Sequence, residues 1–308
     1  MNTPSYTWPA ILAFYVIAFA LGWLVVLPLW RADDLAHEFA TPLVAARMIV
    51  PMIALMFVAR LGRQSGPPSA KVRSGNAANP YVWMGIALAA GVGVPLVSTF
   101  LGAALGWYRL DLIDFSGAMH LPDFVALDLS EGTGLFSRRV PNGYYVYAMF
   151  VAVPIIAGIY SLLAAAEETG WRGWLLPALQ HKLGTWPALI LAGALWGCWY
   201  APLALLGYRV GVGGWQGVEY TVIACTFLGV FLGWLYLVTG SVRAPALFRG
   251  GFDAALLLWP LLVAADQDVA DSAIAIFVYG NSLLMVLLTL LLKPEIRAYQ
   301  RTRAARSG

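Results

Sequence analysis

The chain has 308 residues, 60% of them hydrophobic and 11% charged, with a formal net charge of +3 and a mean hydropathy of +0.74. Soluble globular domains are about half apolar and about a quarter charged, so the composition excludes an ordinary soluble fold. The small positive charge calls for no nucleic-acid partner, because the basic residues are accounted for by membrane topology. The apolar residues come in runs long enough to cross about 30 Å of hydrocarbon as helix, which takes roughly 20 residues. They lack the alternation of barrel strands. The reading is an all-α, polytopic helical membrane protein.

About eight transmembrane helices are predicted, at 8–30, 41–59, 81–106, 143–166, 187–207, 218–239, 245–264 and 273–292. The first has no basic segment before it and is too long for a signal peptide, so it reads as a retained span. Trp8, Trp30, Trp107, Tyr108, Tyr144 and Tyr145 fall at predicted ends, where an interfacial aromatic belt belongs. Residues 1–80 comprise two spans and the basic linker LGRQSGPPSAKVRSGNAANP; residues 81–292 form a six-helix core; residues 293–308 are a basic tail. If both termini are cytoplasmic, thirteen of the 19 Lys and Arg lie in inner segments, five in outer ones, and Arg47 within a span. That asymmetry predicts an N-in, C-in protein; a bacterial plasma membrane is the expected location. The two cysteines, Cys198 and Cys225, sit in spans without metal-ligand spacing and read as packing residues.

Charged groups within the bilayer are costly and therefore informative. Glu167 and Glu168 close the fourth span in AAAEETGWRGWLLPAL, with Arg172 one turn on. Arg249 and Asp253 stand four residues apart in PALFRGGFDAALL; Arg47 lies in the second span and Glu219 opens the sixth. Residues i and i+4 share a helix face, so Arg249–Asp253 and Glu168–Arg172 read as two self-neutralised pairs. Glu167 has no such partner on its own helix, and a carboxylate left over in this way is a candidate general base. Between Trp171 and Gly184 a short amphipathic helix is expected along the inner membrane surface, with Gln180, His181 and Lys182 at its wet end.

EETGWRGW resembles the EExxxR signature of the CPBP family of intramembrane proteases, which includes type II CAAX prenyl proteases and bacteriocin-processing homologues. The family's second motif, often W-x-x-W-H-x-P, has a counterpart in LWGCWYAP, which keeps Trp196, Trp199 and Pro202 but places Tyr200 where the His belongs. The third, His-x-x-x-Asn after a Ser and a Pro, is matched by SVRAPALFRGGFD, which keeps Ser241 and Pro245 but has Arg249 for the His and Asp253 for the Asn. The resemblance covers roughly residues 143–265.

By that resemblance Glu167 is the general base, Glu168 its neighbour, and Arg172 holds the geometry with Trp196 in support. Tyr200, Arg249 and Asp253 occupy the positions that orient water and stabilise the oxyanion. A catalytic zinc needs about three ligands from His, Cys and carboxylates, and His37, His120 and His181 all fall outside the motifs; no metal and no cofactor is expected. Three functions stay open. One is a metal-independent intramembrane endopeptidase, its glutamate-activated water attacking a membrane-associated peptide. Another is a catalytically silent member acting as a membrane scaffold, chaperone or partner-binding subunit. The third is a transporter using the carboxylates as an ion site.

Overall fold

Residues 6–32, 35, 39–62, 80–116 and 142–291 are described by the computed structural model. Most of the linker at 61–80, most of the loop at 107–142 and the tail at 293–308 lie outside them. Helix α1 (Trp8–Val25) starts at Thr7, whose hydroxyl accepts from the Ala10 N–H at 3.4 Å. Pro9 sits in the first turn, where no backbone donor is needed. The short α2 (Leu27–Ala32) precedes α3 (Ala40–Arg47) and α4 (Val50–Gly62). These last two are separated by a turn at Met48 and Ile49, whose N–H groups donate to Ala45 and Ala46 at 3.1 and 3.2 Å.

Helix α5 (Pro80–Ala104) follows, then α6 (Asn142–Gly170), which passes through a π-helical turn (Trp171–Leu175) into α7 (Leu176–Leu183). The chain breaks at Gly184, whose φ of +82° only glycine adopts at little cost. Beyond it come α8 (Thr185–Trp199), α9 (Ala201–Leu205), α10 (Gly214–Thr239), α11 (Arg243–Ala255), α12 (Trp259–Leu262) and α13 (Val269–Ala273). A second π-helical stretch (Ile274–Gly280) leads into α14 (Asn281–Leu291). Among the described residues there is no strand; a single antiparallel bridge joins Leu110 to Val263.

Six helical segments are long and apolar enough to cross a membrane, at 8–25, 40–60, 81–104, 150–183, 214–239 and 271–290. The protein is an integral, multi-pass membrane protein surrounded by lipid. The predicted fifth and seventh spans are shorter than expected. The fifth is the 15-residue α8, bent at Tyr200 into α9. The seventh is the 13-residue α11, of which only Arg243 and Leu247 escape burial. A helix enclosed by other helices meets no lipid, so neither its length nor its polarity is set by the bilayer. The expected surface helix after Trp171 is corrected too. Trp171 to Leu176 are buried, Gln180 is only 5% exposed and bonds Thr185 at 3.0 Å, and His181 and Lys182 alone of the predicted wet end reach the surface.

Close backbone approach sets the packing around α11. A Cβ at Gly250 would meet the Ala157 carbonyl and Ser161 of α6, standing 2.6 Å from the Ser161 nitrogen. On the other side, the backbone of α8 meets α10 where a Cβ at Gly229 would fall 2.6 Å from the Gly193 Cα. Small residues at such contacts let membrane helices approach to van der Waals distance, where dispersion and interhelical polar contacts hold them together. Among the described residues the main core runs from Phe14 of α1 through Trp171, Trp174 and Trp199 to Phe248 and Phe277, with smaller clusters that take in Val153, Ala157 and Ala164 of α6. The N-terminal helices therefore share the core of the motif-bearing ones.

Candidate active site

The charged residues of the first and third motifs converge beside Trp196 of the second. Glu167 and Glu168 lie in the last turn of α6, and both are 0% exposed. Directly after them the π-helical turn, with the Leu176 N–H reaching back to the Trp171 carbonyl, places Arg172 so that its Nη1 donates to Glu168 Oε1 at 2.9 Å. Such π turns tend to occur where a helix re-aims side chains for function.

Glu167 finds its partners on other helices. Trp196 Nε1, near the end of α8, donates to Glu167 Oε1 at 2.6 Å. Arg249 Nη1, from the middle of α11, donates to the same oxygen at 3.5 Å and lies 3.9 Å from Glu168 Oε1. Arg249 Nη2 also bonds Asp253 Oδ2 at 3.2 Å, one turn along its own helix. The Trp196 ring carries both guanidinium groups, Arg172 and Arg249 each 4.6 Å from its centroid. Five of the seven residues singled out from the motifs thus form one continuous ion-pair lattice, with Trp196 at its centre.

Tyr200 joins that group by its ring. It stands edge-on to Trp196 and Trp199 at 5.8 and 5.5 Å and stacks with Tyr208 at 6.3 Å.

Two further arginines belong to the cluster. Arg209, one of the five basic residues assigned to outer segments, donates from its Nη1 to Asp253 Oδ1 at 2.7 Å. The loop between α9 and α10 turns back through a positive φ of 72° at Arg209, which returns the side chain to the bundle. The sequence offered one signal, an Arg between Gly207 and Gly211 just after an apolar helix. Arg47, at the end of α3, lies 3.7 Å over the Trp199 ring and 4.1 Å over the Tyr200 ring. Glu219, by contrast, faces outward.

The donor set does not suit a divalent ion. The two glutamates already hold Arg172 and Arg249, so a metal would displace or adjoin a guanidinium. Among the described residues no group of three His, Cys, Asp or Glu stands in metal-binding range. His181 is engaged with the Tyr6 ring at 6.0 Å, while His37 and His120 lie outside the described residues.

Fold and site together define a multi-pass membrane protein with a protease-like glutamate pair buried among helices. Residues 144–255 match the family model for the Type II CAAX prenyl endopeptidase Rce1-like proteins. Over 120 residues, 37% of this chain, the sequence is 27% identical to CAAX prenyl protease 2 of Methanococcus maripaludis. The match covers 42% of that relative's length. These findings support assignment of the chain to the CPBP family.

Proposed function

We propose that this chain is a non-hydrolysing member of its family, which binds a membrane-associated peptide or partner protein and does not cut it. One observation carries the reading: the Arg249 guanidinium stands within 3.5 Å of Glu167 and 3.9 Å of Glu168 while bonded to Asp253. A general base needs a water between itself and the scissile carbonyl, within hydrogen-bond reach of both. Beside Glu167 Oε1 that place is taken by a fixed cation and by the indole N–H of Trp196. The lattice also supplies what a scaffold requires, since ion pairs in a low-dielectric interior hold helices in one arrangement. The basic residues favour both termini on the cytoplasmic face; the membrane in this reading is a bacterial plasma membrane.

A second reading is favoured by a specific feature. Glu167 Oε2 and Glu168 Oε2 are buried without a hydrogen-bond partner among the described residues. An oxygen of that kind can take a proton from water, with Arg249 and Tyr200 as donors to the oxyanion. The chain would then be a metal-independent endopeptidase of CAAX-protease type. Photo-crosslinkable, membrane-associated peptides presented to the purified protein in liposomes separate the two. Peptides captured at full length support the binding reading; capture of truncated products, lost in Glu167→Gln, supports the protease.

A further inference from the structure

Among the described residues, the charges of the cluster do not balance. Four guanidinium groups, Arg47, Arg172, Arg209 and Arg249, meet three carboxylates, Glu167, Glu168 and Asp253. The last three arginines are each ion-paired. Arg47 is 1% exposed, has no ion pair with a described carboxylate, and neither its Nη1 nor its Nη2 has an acceptor among the described residues. Among the described residues the rings of Trp199 and Tyr200 hold it, and Glu167 attracts it while Arg209 repels it from across the cluster. Cation–π contact offsets part of the cost of desolvating a guanidinium, not the whole.

We propose that Arg47 is a receptor for one carboxylate of a membrane-associated peptide. The excess is a single positive charge, which a monoanion cancels. With the rings packed against the group, the free donors Nη1 and Nη2 lie side by side in the guanidinium plane. Carboxylates and phosphates both engage two such donors in one plane; a carboxylate is the one that is a monoanion with a single substituent. A phospholipid phosphate carries two bulky substituents and so needs a wider opening beside this enclosed side chain than a carboxylate does. Arg47 is also the last residue of α3, directly before the turn at Met48 and Ile49. This inference rests on the reading of the chain as a peptide binder.

The test is calorimetric titration of the full-length protein in neutral detergent with N-lauroyl-glycylglycine, its C-terminal amide, or phosphatidylglycerol. The acid is expected to bind, the amide to bind about tenfold more weakly or worse, and phosphatidylglycerol not to compete; losing a charged hydrogen-bonding partner is worth about that factor or more. Arg47→Gln should lose the preference for acid over amide. Arg47→Lys, which keeps the charge without the planar fork, should retain part of it, and so guards against a variant that merely misfolds. Equal binding of acid and amide, an unchanged preference in Arg47→Gln, or displacement of the acid by phosphatidylglycerol would overturn the proposal. Mass analysis of the recovered peptide is independent of these outcomes. A cut peptide sinks the non-hydrolysing reading yet leaves the carboxylate preference standing, whereas an intact peptide with no preference sinks only the Arg47 site.

Discussion

Glu167→Gln is isosteric, so its effect isolates the charge. In the native cluster Glu167 Oε1 lies 3.5 Å from Arg249 Nη1. At an effective dielectric constant of about 20, that separation corresponds to a Coulomb attraction of about 5 kcal/mol. The amide oxygen still accepts from the Trp196 indole, and Arg249 keeps Asp253 at 3.2 Å and Glu168 at 3.9 Å. Breaking a buried pair costs about 3–5 kcal/mol when one charge is stranded. Because Arg249 is not stranded, the expected loss is at the low end, about 3 kcal/mol. Arg249→Gln strands Glu167 without its ion-pair partner, while Glu168 keeps Arg172 and Asp253 keeps Arg209, so a larger loss, toward about 5 kcal/mol, is expected. In the double variant neither charge remains, and the two losses should fall short of additivity by about 2 kcal/mol, within the range of coupled neighbours. Reversible unfolding in mixed detergent micelles, followed by tryptophan fluorescence, measures all four proteins. Single losses below about 0.5 kcal/mol with additive behaviour would refute the claim that this pair is part of the structural lattice.

Other consequences are open to simpler measurement. Arg209→Gln should lower thermal stability by less than Arg249→Gln, because Asp253 keeps its second arginine; a larger loss would mean that Arg209 anchors Asp253 alone. Gly250→Ala drives a Cβ into Ala157 and Ser161 of α6, and overpacking of this kind costs about 1–3 kcal/mol. The same shift pulls Arg249 away from Glu167, so Gly250→Ala and Glu167→Gln should be less than additive in a thermal melt. Outside the membrane, Asp111 accepts from the Ser116 hydroxyl and from the Asp114, Ser116 and Ile113 N–H groups. The Ser116 hydroxyl foremost, and the backbone donors with it, hold its carboxyl down to about 2. A depressed acid contributes stability above its ordinary value near 3.8, and that contribution is lost as pH falls through the folded value. Asp111→Asn should therefore match the wild type at pH 2 and be less stable than it at pH 5; equal stability at both would remove the turn's role.

Much of this architecture is legible in the sequence because bilayer thickness imposes a length on any helix that meets lipid. The segments at 8–25, 81–104 and 214–239 follow that rule. α11 does not, since it is walled in by α5 and α6, and its glycines say more about its surroundings than its hydropathy does. The i, i+4 pairs Glu168–Arg172 and Arg249–Asp253 are local, so spacing alone locates them. Glu167 is different: its partners come from α8 and α11, and only the resemblance to a family put those segments beside it. Arg209 was out of reach because a loop residue's return to the core depends on a backbone turn that leaves no periodic trace. Arg47 stood out as a charge within a span, but its seat on Trp199 and Tyr200 is tertiary.

The central claim is that the family's glutamate pair has been turned from chemistry to structure. Its most direct test is peptide-bond cleavage by the purified protein in liposomes, across a broad library of membrane-associated peptides, with folded Glu167→Gln in parallel. The account predicts that wild type and variant release the same background of products while differing in stability. Cleavage by the wild type that disappears in Glu167→Gln, with the variant's fold intact, would contradict it and make Arg249 and Tyr200 working replacements for the motif histidines.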